Sequence, residues 1–218
     1  GSNEQGFDFN ILNDLSENIK ILTDQNIRVS IVLGGGNFIR GASFSNGVVD
    51  RVTSDYMGML GTVMNSLALQ SNLEKIGVPS RVMSAISINR VAEPYIKNKA
   101  TRHLEKNRVV IFASGTGNPF FSTDTAAVLR ASEMKSDIIL KGTKVDGIYD
   151  TDPVNNPKAN KISEITYSDF LNKDIKVMDS TAISLAKDRK IPIIIFSILK
   201  SSNILDIIDG RGSYSLIK

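Results

Sequence analysis

The sequence predicts an α/β protein, a three-layer αβα sandwich around a mostly parallel sheet, read as one domain over residues 1–218. Three observations carry this prediction. Stretches with helical apolar spacing alternate with short β-branched runs, in the order α-β-α-β-α-β-α-β-α-β-α-β, and that alternation builds a sheet whose crossovers are helices. The short runs are apolar over nearly their whole length, as strands covered on both faces are. The loops richest in Gly, Thr, Ser and Asp follow three of those runs, 29–33, 108–113 and 137–140. Open parallel sheets bind ligands at strand ends of this kind.

Taken in order, residues 10–25 place Ile11, Leu12, Leu15, Ile19 and Leu22 on one helical face, with Asn10 or Asn13 as the cap. Strand 28–33 ends in Gly34-Gly35-Gly36-Asn37. Glycine lets another group reach the backbone, and at such a strand end that group is usually a ligand. Arg40 follows, and a guanidinium beside a glycine loop points to phosphate, although a plain flexible connector has the same composition. Residues 52–76 form a long helix whose apolar set wraps widely around its axis, so a second covered face is expected, with another subunit as one source. Gly58 and Gly61 in that helix admit a neighbouring backbone, and Asp55 near its start suits either the helix dipole or a ribose hydroxyl. Strand 81–86, a loop and helix over 87–107, strand 108–113, helix 124–134 and strand 137–140 follow. Beyond them come a Gly, Asp and Thr-rich stretch with a turn at Asp146-Gly147, a polar excursion over 154–161 and a weak helix over 162–171. Helix 180–188 with Asp179 as its cap, strand 191–196, a short helix and a final strand complete the chain.

Composition narrows the function. The net charge is +3 with scattered basic residues, which gives no nucleic-acid stripe but suits small anionic substrates. The absence of cysteine excludes disulfide and thiolate chemistry and fits a reducing cytoplasm. The single histidine, His103, lies in a polar helical stretch and reads as a solvated surface residue, so a zinc site is not expected. No apolar run is long enough to span a membrane and no signal peptide is visible.

The most informative stretch is Thr116-Gly117-Asn118-Pro119-Phe120-Phe121-Ser122-Thr123-Asp124, between strand 108–113 and helix 124–134. It brings backbone N–H groups, hydroxyls and a carboxylate to a helix start, where anions are held well. Two aromatics stand in its middle, which a loop that only turns a corner does not need. It reads as a phosphate-ester pocket. No G-x-x-x-x-G-K-[ST] motif occurs, so the site is not a Walker A loop.

Five segments together closely resemble the bacterial uridylate (UMP) kinases of the amino acid kinase superfamily. They are Gly34-Gly35-Gly36-Asn37-Phe38-Ile39-Arg40-Gly41, Asp55-Tyr56-Met57-Gly58-Met59, Gly115-Thr116-Gly117-Asn118-Pro119-Phe120-Phe121, Lys141-Gly142-Thr143-Lys144-Val145-Asp146-Gly147 and Lys176-Val177-Met178-Asp179. The resemblance spans residues 6–218. The fourth segment marks the superfamily, whereas the second and third are specific to uridylate kinases. The resemblance implies that Gly35, Asp55 and Thr116, Gly117, Asn118, Pro119, Phe120, Phe121, Ser122 and Thr123 hold UMP. It implies that Gly36, Arg40, Thr143, Tyr149 and Asp152 hold ATP, and that Asp124 places Mg²⁺ and the acceptor. Arg40, Asp124, Lys141 and Asp179 form the implied catalytic set, with Asp179 ordering catalytic lysines and Lys141 near the transferred phosphate. It further implies UDP formation for UTP and CTP biosynthesis, in a cytoplasmic homohexamer.

The implied chemistry agrees with the residues. Phosphoryl transfer needs in-line positioning and positive charge on the equatorial oxygens, which glycine amides, Arg40, Lys141 and Mg²⁺ supply. The UMP phosphate is already a good nucleophile, so Asp124 is not expected to act as a base. The family begins with a strand ending Lys-x-Ser-Gly that contacts the transferred phosphate. This sequence starts after it, and the expectation is that the strand was omitted rather than lost. The resemblance leaves GTP and UTP open as effectors: Arg81 is available, whereas Gln70 and Glu74 stand where some relatives are basic. Two other readings remain, a non-catalytic nucleotide-binding protein on the same fold and a kinase for a carboxylate or carbamate. The Asn118-Pro119-Phe120-Phe121 loop argues against the latter.

Overall fold

Asp8, Asp50, Ser122, Thr166 and Asp179 cap helix starts in this chain, and the two fully buried strands are β-branched, apolar runs. A computed structural model describes residues 6–39, 49–151, 153, 155–156, 158–199 and 203–218. The chain falls into two units, residues 1–127 and 128–218.

In the first unit, α1 (Phe9–Asp24) starts where Asp8 accepts from the N–H of Ile11 at 3.3 Å. Asn10 and Asn13, the expected caps, lie inside the helix instead. A carboxylate both accepts from the free N–H groups and complements the positive end of the dipole, so Asp8 takes the position. β1 (Ser30–Val32) leads to the long α2 (Arg51–Lys75), where Asp50 accepts from the N–H of Thr53 at 3.1 Å. β2 (Ser80–Ser84), β3 (Glu93–Pro94), α3 (Lys97–Glu105) and β4 (Val109–Ala113) follow. The sheet order is β1-β4-β2-β3 and every pairing is parallel.

β4 is buried at every residue, which explains its unbroken apolar sequence. Val109, Ile111 and Ala113 pack in one cluster with Ile19 of α1 and Val63, Leu69 and Leu73 of α2. On its other face Phe112 meets Tyr95 edge to face, with ring centroids 5.5 Å apart. Asn72 ties the two helices together, donating to Ser16 Oγ at 2.9 Å and to the Leu12 carbonyl at 3.3 Å. The second covered face expected of α2 is not supplied among the described residues. Val52, Tyr56, Leu60 and Met64, spaced four apart, are all exposed.

His103 departs from its reading as a solvated residue. Its side chain is only 15% exposed and lies between Glu93 (3.2 Å from Nε2) and Arg108 (3.2 Å from Nδ1). Arginine can only donate, so Nδ1 is the acceptor and Nε2–H faces the carboxylate. A polar helix sequence hid this, because the partners come from β3 and from the residue before β4.

α4 (Thr123–Met134) begins in the first unit and sends Val128 into the core of the second. The second unit continues with β5 (Ile139–Thr143), β6 (Ile148–Tyr149), β7 (Lys161–Ile162), β8 (Glu164–Ile165), α5 (Tyr167–Asn172), α6 (Ser180–Arg189), β9 (Ile193–Ser197), α7 (Asn203–Ile208) and β10 (Tyr214–Ile217). Its main sheet runs β5-β9-β10-β8. β5–β9 and β10–β8 are parallel, β10–β9 is antiparallel, and β6 and β7 form a separate antiparallel pair. Ile193 and Ile195 of β9 face α5 and α6, while Ile194 and Phe196 face the cluster that holds Ile207 of α7.

Two expectations shift here. Strand 137–140 becomes β5 at 139–143, since Lys141, Gly142 and Thr143 pair in register with Ile195, Phe196 and Ser197. The weak helix over 162–171 starts only at Tyr167, capped by Thr166, because 161–162 and 164–165 are taken into strands.

Candidate active site

Gly35 shows how the first unit builds its cleft. A Cβ at Gly35 would stand 2.3 Å from the Gly58 carbonyl oxygen and 3.1 Å from the Thr62 nitrogen. The missing side chain therefore admits the backbone of α2, while Gly35 itself also lines the cleft. Gly61 answers from the helix side, where a Cβ would meet the Gly35 carbonyl at 3.2 Å. The neighbouring backbone expected against Gly61 is thus this strand-end loop, whereas a Cβ at Gly58 would meet nothing within 4 Å. Asn65 of α2 locks the same loop, donating to the Gly34 carbonyl at 2.7 Å and sharing amide hydrogen bonds with Asn37.

The other wall is the loop after β4. Thr62, buried in α2, donates to the Met59 carbonyl and accepts the N–H of Ser114, both at 2.7 Å. Ser114 is thereby held at φ 64°, and its hydroxyl meets that of Ser84 at 2.9 Å. Thr116 turns its hydroxyl inward on the loop, accepting from the N–H of Asn118 at 3.2 Å. Phe120 has φ 71°, an unusual state for a bulky residue, and its N–H donates to Asp55 Oδ2 at 2.8 Å. Ser122 caps α4 by accepting from the N–H of Thr125 at 3.0 Å, which places Thr123 and Asp124 in the first turn.

These walls enclose a cleft of about 740 Å³. Gly35, Gly36, Asp55, Thr116, Asn118, Phe120, Phe121, Ser122 and Thr123 line it, nine of the residues singled out from the sequence. Phe120 and Phe121 are 67% and 54% exposed. Gly117 and Pro119 belong to the same loop without lining the cleft, and Asp124 stands at the head of α4. Sequence reading missed Thr62, Ser114 and Arg51. Arg51 Nε donates to both Asp55 oxygens at 2.9 and 3.0 Å, and its guanidinium carbon lies 5.8 Å from the Phe120 ring centroid. Its spacing of four from Asp55 on one helix was the available signal.

The second unit holds Lys141, Thr143, Tyr149 and Asp179. Lys141 and Thr143 are on β5, and the Thr143 hydroxyl donates to the Val145 carbonyl at 2.5 Å while accepting the Val145 N–H at 3.1 Å. Asp179 caps α6, accepting from the N–H of Ala182 at 2.8 Å. Tyr149 donates its hydroxyl to Asp146 Oδ1 at 2.6 Å. Asp146-Gly147 is more than a turn, since a Cβ on Gly147 would stand 2.5 Å from both Lys161 Cε and Ser215 Oγ. The Tyr149 hydroxyl, before any other group, holds the Asp146 carboxyl well below the usual carboxylate range. Ser213 and Lys161 assist it against the opposing effect of burial. The same bond raises the Tyr149 hydroxyl above its ordinary value. Arg40 and Asp152 lie outside the described residues.

Among the described residues no three His, Cys, Asp or Glu side chains converge on a metal position. Arg81, the residue offered to an effector, stands 3.8 Å from Glu74 and 3.7 Å from Glu93. Among the described residues no helix is long and apolar enough to cross a membrane.

A glycine-lined cleft joined to a hydroxyl-rich helix start, without a P-loop, defines a class. The chain belongs to the amino acid kinase family, which it matches over residues 1–197. Within that class it is similar to uridylate kinases. The uridylate kinase of Wolbachia pipientis wMel is 53% identical over 217 residues, covering 100% of this chain and 87% of the relative. The UMP kinase of Bacillus anthracis superposes with a TM-score of 0.95 at 38% identity, covering 100% of this chain and 90% of that one. The UMP kinase of Ureaplasma parvum gives 0.92 at 38% identity, over 99% and 94%.

Proposed function

We propose that this protein is an ATP-dependent UMP kinase, forming UDP and ADP and so supplying UTP and CTP synthesis. One observation carries the reading: Asp55 and the 116–123 loop line one cleft and are joined by the Phe120 N–H at 2.8 Å. That cleft offers main-chain donors and hydroxyls to a phosphate and a carboxylate to sugar hydroxyls, the polar inventory a nucleoside monophosphate needs. The likeness to uridylate kinases at 53% identity supports the choice of base. UMP is assigned to Gly35, Asp55 and the loop, and ATP to Gly36, Arg40, Thr143, Tyr149 and Asp152.

In this reading Lys141 and Arg40 set positive charge against the transferring phosphoryl group, and Asp179 orders the lysines. Asp124 holds Mg²⁺, which neutralises charge on the phosphate oxygens when bound. The acceptor phosphate needs no strong base, so Asp124 positions rather than deprotonates. Residues 1–218 are read as one domain because the family match runs across both units. The exposed stripe Val52, Tyr56, Leu60 and Met64 supports self-association, with a cytoplasmic homohexamer as the expected assembly.

The test is a coupled ADP-release assay with UMP, CMP and acyl substrates. UMP should turn over and CMP should be strongly disfavoured, and Asp124→Asn should abolish UDP formation while leaving the thermal transition in place. Equal rates on UMP and CMP would overturn the uridylate assignment, and near wild-type turnover in Asp124→Asn would overturn the role of that residue.

A further inference from the structure

The least expected feature of the second unit is the number of groups spent on one carboxylate outside the assigned site residues. Asp146 Oδ1 accepts the Tyr149 hydroxyl at 2.6 Å. Asp146 Oδ2 accepts the Ser213 hydroxyl at 2.7 Å and the Lys161 ammonium at 3.1 Å. Lys161 also donates to the Asp146 carbonyl at 2.7 Å and to Ser213 Oγ at 2.5 Å. Acceptor and donors thus close on one another, with partners drawn from β6, β7 and the residue before β10. Gly147 completes the arrangement, because any Cβ there would collide with Lys161 and Ser215.

Two features separate this from an ordinary surface ion pair. The aromatic hydroxyl is oriented by a charged acceptor, and hydrogen bonds to ionised groups are about twice as strong as neutral ones. The acceptor is itself held from two sides, so the Tyr149 ring cannot swing with a single side chain.

We propose that Asp146 is a positioning residue for donor-nucleotide binding: it fixes the Tyr149 ring, and Lys161 and Ser213 fix Asp146. This rests on the assignment of Tyr149 to the ATP side. Asp146 takes no part in proton transfer and touches neither phosphate nor metal. Its effect falls on the affinity for ATP and leaves the affinity for UMP and the saturated rate alone.

The experiment is steady-state kinetics on the full chain with ATP and UMP varied independently, alongside thermal melts. Asp146→Asn removes the charge and places an NH₂ against one of the donors. It should raise KM for ATP roughly tenfold, the equivalent of one charge-assisted hydrogen bond, with KM for UMP and kcat unchanged. Ser213→Ala should give a smaller rise of the same kind, and it carries the test if Asp146→Asn does not fold. Tyr149→Phe should raise KM for ATP as well, and adding Asp146→Asn to it should cause little further change, since both remove one contact. Additive effects of the two, or a kcat loss matched by equal rises in both KM values, would overturn the proposal. Tyr149→Ala separates the levels. If it leaves KM for ATP unchanged, the assignment of Tyr149 has failed; if it raises KM while Asp146→Asn and Ser213→Ala do not, only the positioning role has.

Discussion

Asp55 in the first unit and Asp146 in the second are both aspartates that gather donors on both oxygens, yet they are built for opposite ends. Asp55 takes the guanidinium of Arg51, whose side chain is 66% exposed, and a main-chain N–H from an exposed loop. Each partner also lines the cleft, so a ligand with hydroxyl groups can replace them one for one. Asp146 takes a tyrosine, a serine and a lysine that bond to the carboxylate and, in the case of Lys161 and Ser213, to each other. Donors that belong to a cleft wall mark an exchangeable contact, and donors that close on one another mark a fixed support.

Different contacts build each region. In the first, Gly35 and Gly61 bring backbone against backbone, with Thr62 and Asn65 tying the loops to α2; the second is held by side chain against side chain. The sharpest break is Gly35→Ala. The added methyl meets the Gly58 carbonyl, which belongs to the helix backbone and cannot turn aside. Overpacking of this kind costs about 1–3 kcal/mol. A drop of that size in urea stability is expected, together with loss of UMP turnover, because the loop on α2 forms one cleft wall. A stable Gly35→Ala protein with normal turnover would show that the close approach is not required.

A second break is Thr62→Val, which keeps the shape of the side chain and removes one acceptor. The buried N–H of Ser114 then has no partner, at a cost of about 1–3 kcal/mol. Because Ser114 leads into the 116–123 loop, KM for UMP should rise while KM for ATP stays put. A rise confined to ATP would contradict the placement of the loop on the UMP side.

Much of this was legible in the sequence, for identifiable reasons. β4 and β9 were plain because strands covered on both faces read as unbroken apolar runs. Asp179 was legible as a cap because its reach is local, as is the i, i+4 pairing of Arg51 and Asp55 that went unremarked. Gly35 was found for the right property, close approach, but its packing against a helix 23 residues away was not legible, since nothing local announces so distant a neighbour. Lys161, Ser213 and the environment of His103 were not legible, because their partners are brought together only by β6–β7 pairing and by the sheet. Strands of two residues, such as β3, β6, β7 and β8, carry too short a pattern for any period to register.

The gentlest test of the comparison is acid. The folded Asp146 carboxyl is held below its ordinary range, first by the Tyr149 hydroxyl. A carboxylate of this kind stabilises the fold at every pH above its unfolded value, near ~3.9, and the contribution fades as pH falls through the lower folded value. Asp146→Asn should therefore be less stable than the parent by a constant margin at neutral pH. The margin should shrink progressively below about pH 4, as the parent loses the same interaction by protonation. The side chain is 39% exposed, so solvent screening keeps the margin small. Urea midpoints at several pH values measure it. A margin that persists undiminished at the acid end would mean that the amide disturbs packing rather than charge, and that Asp146 is not the ionised hub its three donors imply.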